Sequence, residues 1–367
     1  MTKKILITGG AGYIGSMLAS QLVILGYEVT VIDLLKFSSN SLNHLHFFKN
    51  FKLIVGDVRS KSLIRKELKK NEYIIPLAAL VGAPLCEKNK NEAISVNLDS
   101  IKLLMKYISK KNKIIYLTSN SGYGVGKKNK FCDEKSPLNP ISLYGRTKVE
   151  AEKIVMRSKN VICFRLATVF GYSYRMRTDL LVNNFVFNSI KKKELKLFEP
   201  HFRRNFIHVK DVVDGILYSI KNFERLKSNV YNLGLSSANL SKYMLAKKIK
   251  QKLKYLKIKI IKNIKDPDQR DYYVSNKKIE KRGFKAKIKI ENGIGELIKP
   301  GMHGHLVPVN HAEALAQGIT QALNNPAQAR EMAKKAESLA WQHYNLDAWA
   351  ETAESIALTA LGSASSS

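Results

Sequence analysis

Short apolar runs alternate with amphipathic stretches through the first half of the chain. Residues 5–7, 28–32, 52–55, 73–75 and 113–117 are rich in Ile, Val and Leu and too short for helices, the pattern of strands buried on both faces. Between and after them, residues 17–25, 92–109 and the stretch following Pro140 place apolar residues at helical spacing. Strands alternating with helices from residue 3 to about 166 predict an α/β fold, a doubly wound parallel sheet covered by helices on both faces. Residues 1–170 should form this sheet domain and residues 171–299 a smaller C-terminal lobe that exchanges chain with it. Residues 300–367 follow another pattern: a turn and short strand over 301–309, then helices around 312–323, 327–344 and 346–361, with Leu315, Ile319 and Leu323 on one face of the first.

Composition sharpens the boundary near Pro300. Residues 300–367 carry three basic and six acidic side chains, a net of −3, while everything before them sums to +35. The tail is rich in alanine and holds both tryptophans, Trp341 and Trp349, so it reads as a helical appendage of different origin. A net charge of +32 invites a nucleic-acid reading, but the lysines are spread along the chain beside Ile and Asn. No aromatic-basic interleaving accompanies them, so the charge is taken as a solvated face and no nucleic acid is expected.

Cys86, Cys132 and Cys163 are scattered and odd in number, which suggests neither a disulfide framework nor a zinc knuckle. His44 and His46, and His303, His305 and His311, lack further ligands at metal-binding spacing, so no metal is expected. No apolar run reaches the length of a membrane span, and the first residues lead straight into a strand; a cytoplasmic protein without a membrane partner is the expectation.

The chemistry begins at Gly9, Gly12 and Gly15, between the first strand and the first helix. Glycines spaced this way, with Tyr13 and Ile14 opening the helix, leave bare amides and a helix N-terminus for a pyrophosphate. Asp33 ends the second strand about 20 residues on, where a carboxylate accepts from an adenosine ribose and favours NAD over NADP. Asp57 and Val58 follow the third strand, where Asp57 can hold the adenine amino group. Leu77, Ala78 and Ala79 follow the fourth, small enough to pass beneath a flat cofactor, and Asn97 lies on the next helix. The fifth strand delivers Ser119, Asn120 and Ser121 to the same edge. Tyr144 and Lys148 then share a helix face at i and i+4, where an adjacent ammonium favours the phenolate and makes a usable general base.

This order of motifs, from Thr8-Gly9-x-x-Gly12-x-x-Gly15 through Leu77-Ala78-Ala79 and Ser119 before Tyr123-Gly124 to Tyr144-x-x-x-Lys148, resembles the extended short-chain dehydrogenase/reductase family, specifically its nucleotide-sugar epimerases and dehydratases. The resemblance spans residues 1 to 299. It implies a Rossmann-type fold with NAD on the glycine loop, Asp33, Asp57 and the segment from Leu77. It further implies that Lys148 holds the nicotinamide ribose and that Ser119 and Tyr144 hydrogen-bond the sugar hydroxyl being oxidised. The substrate half is similar too: Thr168 on the strand beside the sugar, Arg175, Arg177 and Asn183 in a nucleotide loop and helix, Arg204 clamping the diphosphate and Arg270 in a second clamp. A nucleotide-sugar substrate and a homodimer paired through the helices at 92–109 and 140–157 are implied.

Two departures bear on activity. Pro76 stands where the family often has histidine, with little consequence. Asn120-Ser121 stands where 4,6-dehydratases carry Asp-Glu to move protons during water loss, and neither an amide nor a hydroxyl titrates usefully. The expectation is an NAD-dependent epimerase acting at C4 through a 4-keto sugar, with a dehydratase or reductase, or an impaired fusion protein, as alternatives. Residues 298–315 resemble the C-terminal end of GT-B glycosyltransferases without their donor-binding elements, so transferase activity does not follow, and the tail is expected to begin at a junction between unrelated genes.

Overall fold

The computed structural model describes residues 2–37, 39–127, 130–262, 270–298, 312–332 and 334. Contacts divide the chain into two units, Met1–Leu297 and Ile298–Ser367.

In the first unit the apolar runs form strands, and the central ones, Lys4–Thr8, Tyr73–Pro76 and Lys113–Ser119, are buried almost throughout. β1 (Lys4–Thr8) leads into α1 (Tyr13–Ile24), then β2 (Glu28–Asp33), β3 (Phe51–Val55), α2 (Lys61–Leu68) and β4 (Tyr73–Pro76). Next come α3 (Ala83–Lys88), α4 (Lys90–Ile94), α5 (Ser100–Tyr107), β5 (Lys113–Ser119), the short β6 (Phe131–Cys132) and α6 (Leu143–Val155). β7 (Val161–Leu166) and β8 (Thr168–Phe170) lead through α7 (Leu181–Lys192) and β9 (Glu194–Leu197) to β10 (Arg203–His208). After α8 (Val209–Lys221) and α9 (Phe223–Leu226), β11 (Asn229–Leu233) returns to the main sheet. The lobe closes with β12 (Asn239–Ser241), α10 (Lys242–Lys252), β13 (Lys257–Ile260), β14 (Tyr273–Val274), α11 (Lys277–Lys281) and α12 (Ile290–Ile298).

Seven parallel strands make one sheet in the order β11-β7-β5-β4-β1-β2-β3. The order reverses at β1, between β4 and β2, so the crevice at the carboxyl ends of these strands is where a dinucleotide belongs in such a sheet. The predicted doubly wound sheet is therefore present, accompanied by smaller sheets β12-β10-β8, β13-β9 and β14-β6. Ile5, Leu6, Ile7, Ile74, Ile75, Ile114 and Ile115 are fully buried, the core from which the strand ends project.

The helix expected over 92–109 is not continuous. α4 and α5 are joined by a π-helical turn, Ser95–Asp99, that carries Asn97 into the interior. One extra residue in a helical turn rotates the side chains that follow and frequently marks a functional site.

In the second unit, α13 (Ala312–Asn324) forms where an amphipathic helix was expected, and residues 326–332 are helical. Expected elements over 301–309 and 346–361, most of 327–344 and the glycosyltransferase-like segment from 299 to 311 lie outside the described residues. No helix among the described residues is long and apolar enough to cross a membrane.

Candidate active site

The glycine loop is held by close packing that only glycine permits. Gly9 has φ +72°, and a Cβ on it would stand 2.5 Å from the Ala78 nitrogen; on Gly15 it would stand 2.4 Å from the Gly9 carbonyl oxygen. Leu77 and Ala78 thus lie directly against the loop, as their small-residue run suggested. Gly12 precedes α1 without a side-chain cap, so the first amides of the helix, which have no carbonyl within it, remain for an anion. The cradle fits a dinucleotide pyrophosphate.

Asp33 ends β2 and binds two backbone amides, Ala11 N–H to Oδ2 at 2.9 Å and Leu35 N–H to Oδ1 at 2.8 Å, which locks the loop to the strand edge. The Arg175 guanidinium sits 5.3 Å from the Phe37 ring and within electrostatic reach of Asp33. Asp57 is engaged by Arg59, whose Nη2 stands 2.5 Å from Oδ2, and this neighbour holds the carboxyl below its ordinary range. Val58 is buried beside it in the core.

Tyr13 turns its side chain inward. Its hydroxyl donates to the Gly171 carbonyl at 2.6 Å, and Asn183 Nδ2 donates to it at 3.3 Å. Asn183 also accepts from Gly171 N–H at 3.1 Å and donates to the Arg177 carbonyl at 2.9 Å. Predicted as a substrate contact, it braces the 171–177 loop against α1. Glu296 braces the same region from α12, 2.9 Å from the fully buried His208 ring and accepting from the Tyr172 amide. Neither Arg59 nor Glu296 carries a local motif that marks it.

Asn97 is bonded on both sides of its amide: Leu80 N–H donates to Oδ1 at 2.8 Å, and Nδ2 donates to the Leu80 carbonyl at 2.9 Å. A weaker contact reaches Thr147 Oγ1 at 3.4 Å, so Asn97 ties the Leu77–Leu80 segment to α6.

The residues expected to be catalytic lie at the end of β5 and on the first turns of α6. Ser119 accepts from Ser121 N–H at 3.1 Å, and its side chain is hydrogen-bonded to Tyr144. Burial raises the Tyr144 phenol above its usual range, while Arg270, Arg177 and the Ser119 bond pull it back. Tyr144 and Lys148 stand one turn apart on α6 as expected, and the Lys148 ammonium donates to the Tyr116 hydroxyl at 3.1 Å. Burial lowers Lys148 to about 8. One turn further along α6, Glu152 pairs with Arg165 in the interior, Nη2 to Oε1 at 2.6 Å, and Arg165 reaches the Tyr123 hydroxyl at 3.1 Å. This buried pair fixes α6 against β7 and was not marked by any sequence signal.

Beside Ser119, Thr118 Oγ1, Ser121 Oγ and both amide atoms of Asn120 are buried without a hydrogen-bond partner among the described residues. Thr168 begins β8. Arg204 is buried, donates to the Arg203 carbonyl at 2.9 Å and lies 5.7 Å from the Tyr272 ring. Of the second clamp, Arg270 is placed near Tyr144 and Asp271 accepts from Arg203 N–H at 2.9 Å; residues 266–269 lie outside the described residues.

Comparison with known proteins agrees with this geometry. The model of the NAD dependent epimerase/dehydratase family matches residues 5–234. UDP-glucose 4-epimerase 2 of Arabidopsis thaliana is 28% identical over 341 residues, covering 82% of this chain and 94% of its own. The dTDP-D-glucose 4,6-dehydratase of Mus musculus is 26% identical over 319 residues, covering 81% and 88%. A crystal structure of UDP-glucuronic acid 4-epimerase from Bacillus cereus, in complex with UDP-glucuronic acid and NAD, shares the fold with a TM-score of 0.71 at 22% identity, covering 80% of this chain and 98% of that one.

Proposed function

The chain belongs to the NAD dependent epimerase/dehydratase family, and from that premise we propose that it is a nucleoside-diphosphate-sugar epimerase that inverts C4 through a 4-keto sugar. NAD is the family's cofactor and supplies the hydride acceptor and donor when bound. Gly9, Gly12, Gly15, the backbone of Tyr13 and Ile14, Asp33 and the Leu77–Ala79 segment would hold it, with Asp57 and Val58 at the adenine and Lys148 at the nicotinamide ribose.

Tyr144 takes the proton of the sugar 4-hydroxyl and later returns it. Ser119 holds the same oxygen, Arg270 and Arg177 contribute positive charge that favours the phenolate, and Lys148, one turn along the helix, would add to it when charged. Arg204 and Arg270 grip the diphosphate, for which a guanidinium fork is suited. Turning the flat keto sugar before reduction inverts the centre.

The observation that carries the choice of reaction is the pair Asn120 and Ser121 beside Ser119. Water loss requires an acid and a base at the hexose, and these two side chains offer an amide and a hydroxyl. The working form is proposed as a cytoplasmic homodimer paired through α5 and α6.

The test is proton NMR of the protein with NAD and a panel of UDP-, GDP-, CDP- and dTDP-hexoses, following anomeric signals. Interconversion of one 4-epimeric pair without net NADH is expected. A 4-keto-6-deoxy product would replace this reading with dehydration.

A further inference from the structure

Lys148 has a partner that the Tyr-x-x-x-Lys spacing does not reveal. The side chain is only 6% exposed, and its ammonium both donates to the Tyr116 hydroxyl at 3.1 Å and lies 4.5 Å from the centroid of that ring. Tyr116 stands on β5 three residues before Ser119 and is 0% exposed. An ammonium sealed from water needs a nearby acceptor, because its charged form is otherwise disfavoured.

Other groups around it are less able to fill that role. On α6, Tyr144 lies one turn before Lys148, and Glu152, one turn after, is committed to Arg165. Cys163 on β7 and Cys86 on α3 lie within electrostatic reach, but burial pushes both thiols up, Cys86 to about 11, so they are uncharged near neutrality. Tyr116 supplies both an oxygen lone pair and an aromatic face to the cation.

We propose that Tyr116 is a positioning residue of this site, its hydroxyl oxygen holding the Lys148 ammonium in place and in its charged form for the cofactor ribose and for Tyr144. The proposal rests on Lys148 serving as the cation of the catalytic pair. Tyr116 would act through Lys148, without touching the sugar. Its effect has a definite sign: removing the acceptor makes Lys148 lose its proton at lower pH, and loss of that charge raises the pH at which Tyr144 ionises.

The test needs no sugar substrate. NADH binding to the full chain is followed by fluorescence from about pH 6 to about pH 10, for the parent protein, Tyr116→Phe, Tyr116→Gln and Lys148→Met. Affinity for the anionic dinucleotide should fall as Lys148 deprotonates, with a midpoint near 8 in the parent. Hydrogen bonds to charged groups have a strength that predicts a downward shift of about one pH unit or more in Tyr116→Phe. Tyr116→Gln, which restores an acceptor, should recover part of that shift, and Lys148→Met should abolish this step.

An unchanged midpoint in Tyr116→Phe overturns the proposal, as do Phe and Gln variants that move together, which would reveal a packing effect alone. A parent profile with no step that Lys148→Met removes overturns it as well. The expected shift in a protein that epimerises no sugar would uphold Tyr116 and remove only the assigned reaction.

Discussion

Asn97 and Asn120 are each 1% exposed, yet their amides live differently. Asn97 is bonded to both backbone groups of Leu80, whereas Asn120 has no partner for either amide atom among the described residues. A buried amide without a partner costs stability, so the protein carries at Asn120 a cost that it has relieved at Asn97. The difference separates the buried polar groups that the packing satisfies from those that it leaves open. At the cofactor end, Asp33, Tyr13, Asn183 and Asn97 are satisfied internally and set the shape of the cradle. At the end proposed for the sugar, Thr118, Asn120 and Ser121 keep buried polar atoms without a partner among the described residues.

The contrast can be broken most forcefully at the chemistry itself. Tyr144→Phe should lower turnover by roughly 10²–10⁴-fold while NADH affinity stays within about threefold of the parent, since only the proton-transfer group is lost. Steady-state rates and fluorescence titration measure the two sides separately, and a parallel collapse of both would mean that Tyr144 shapes the cofactor end as well. Glu152→Ala should come next, destabilising the fold by about 3–5 kcal/mol in denaturant titration, because Arg165 is left as an unpaired buried charge. A near-neutral result would show that α6 is positioned without this pair.

The asparagines then test the comparison directly. Asn97→Ala should cost about 1–3 kcal/mol by leaving the Leu80 amide and carbonyl without their partner, and should weaken NADH binding. Asn120→Ala has the smallest expected effect on stability: a change within about 1 kcal/mol, neutral or stabilising, with a measurable fall in kcat/KM. Equal destabilisation by the two alanine variants in thermal melts would erase the distinction between the two ends.

Sequence made the cofactor end legible because its requirements are local. Gly9 and Gly15 are forced by backbone approach, and Asp33 is identified by its place at the end of a strand, so type and spacing suffice. The parallel sheet was legible for the same reason, since strands buried on both faces leave continuous apolar runs. Partnerships between distant segments were not. Nothing local links Tyr116 to Lys148, Arg165 to Glu152 or His208 to Glu296, because each pairing exists only after strands and helices have packed. Asn97 was picked out by its position on a helix, but its attachment to Leu80 depends on a π-helical turn that apolar spacing does not encode. The placing of Arg175 by Phe37 and Asp33 was likewise not legible, since loop motifs define neighbours in sequence and leave the packing direction open.

The most direct measurement is mass spectrometry and proton NMR of the sugar product formed in D₂O with NAD present. Inversion at C4 by removal and return of the sugar's own hydrogen predicts a 4-epimer that keeps hydrogen at C4 and gains no carbon-bound deuterium. Deuterium at C5 or C6, with or without loss of water, would contradict the account and assign to this cleft the proton chemistry that Asn120 and Ser121 are argued to lack.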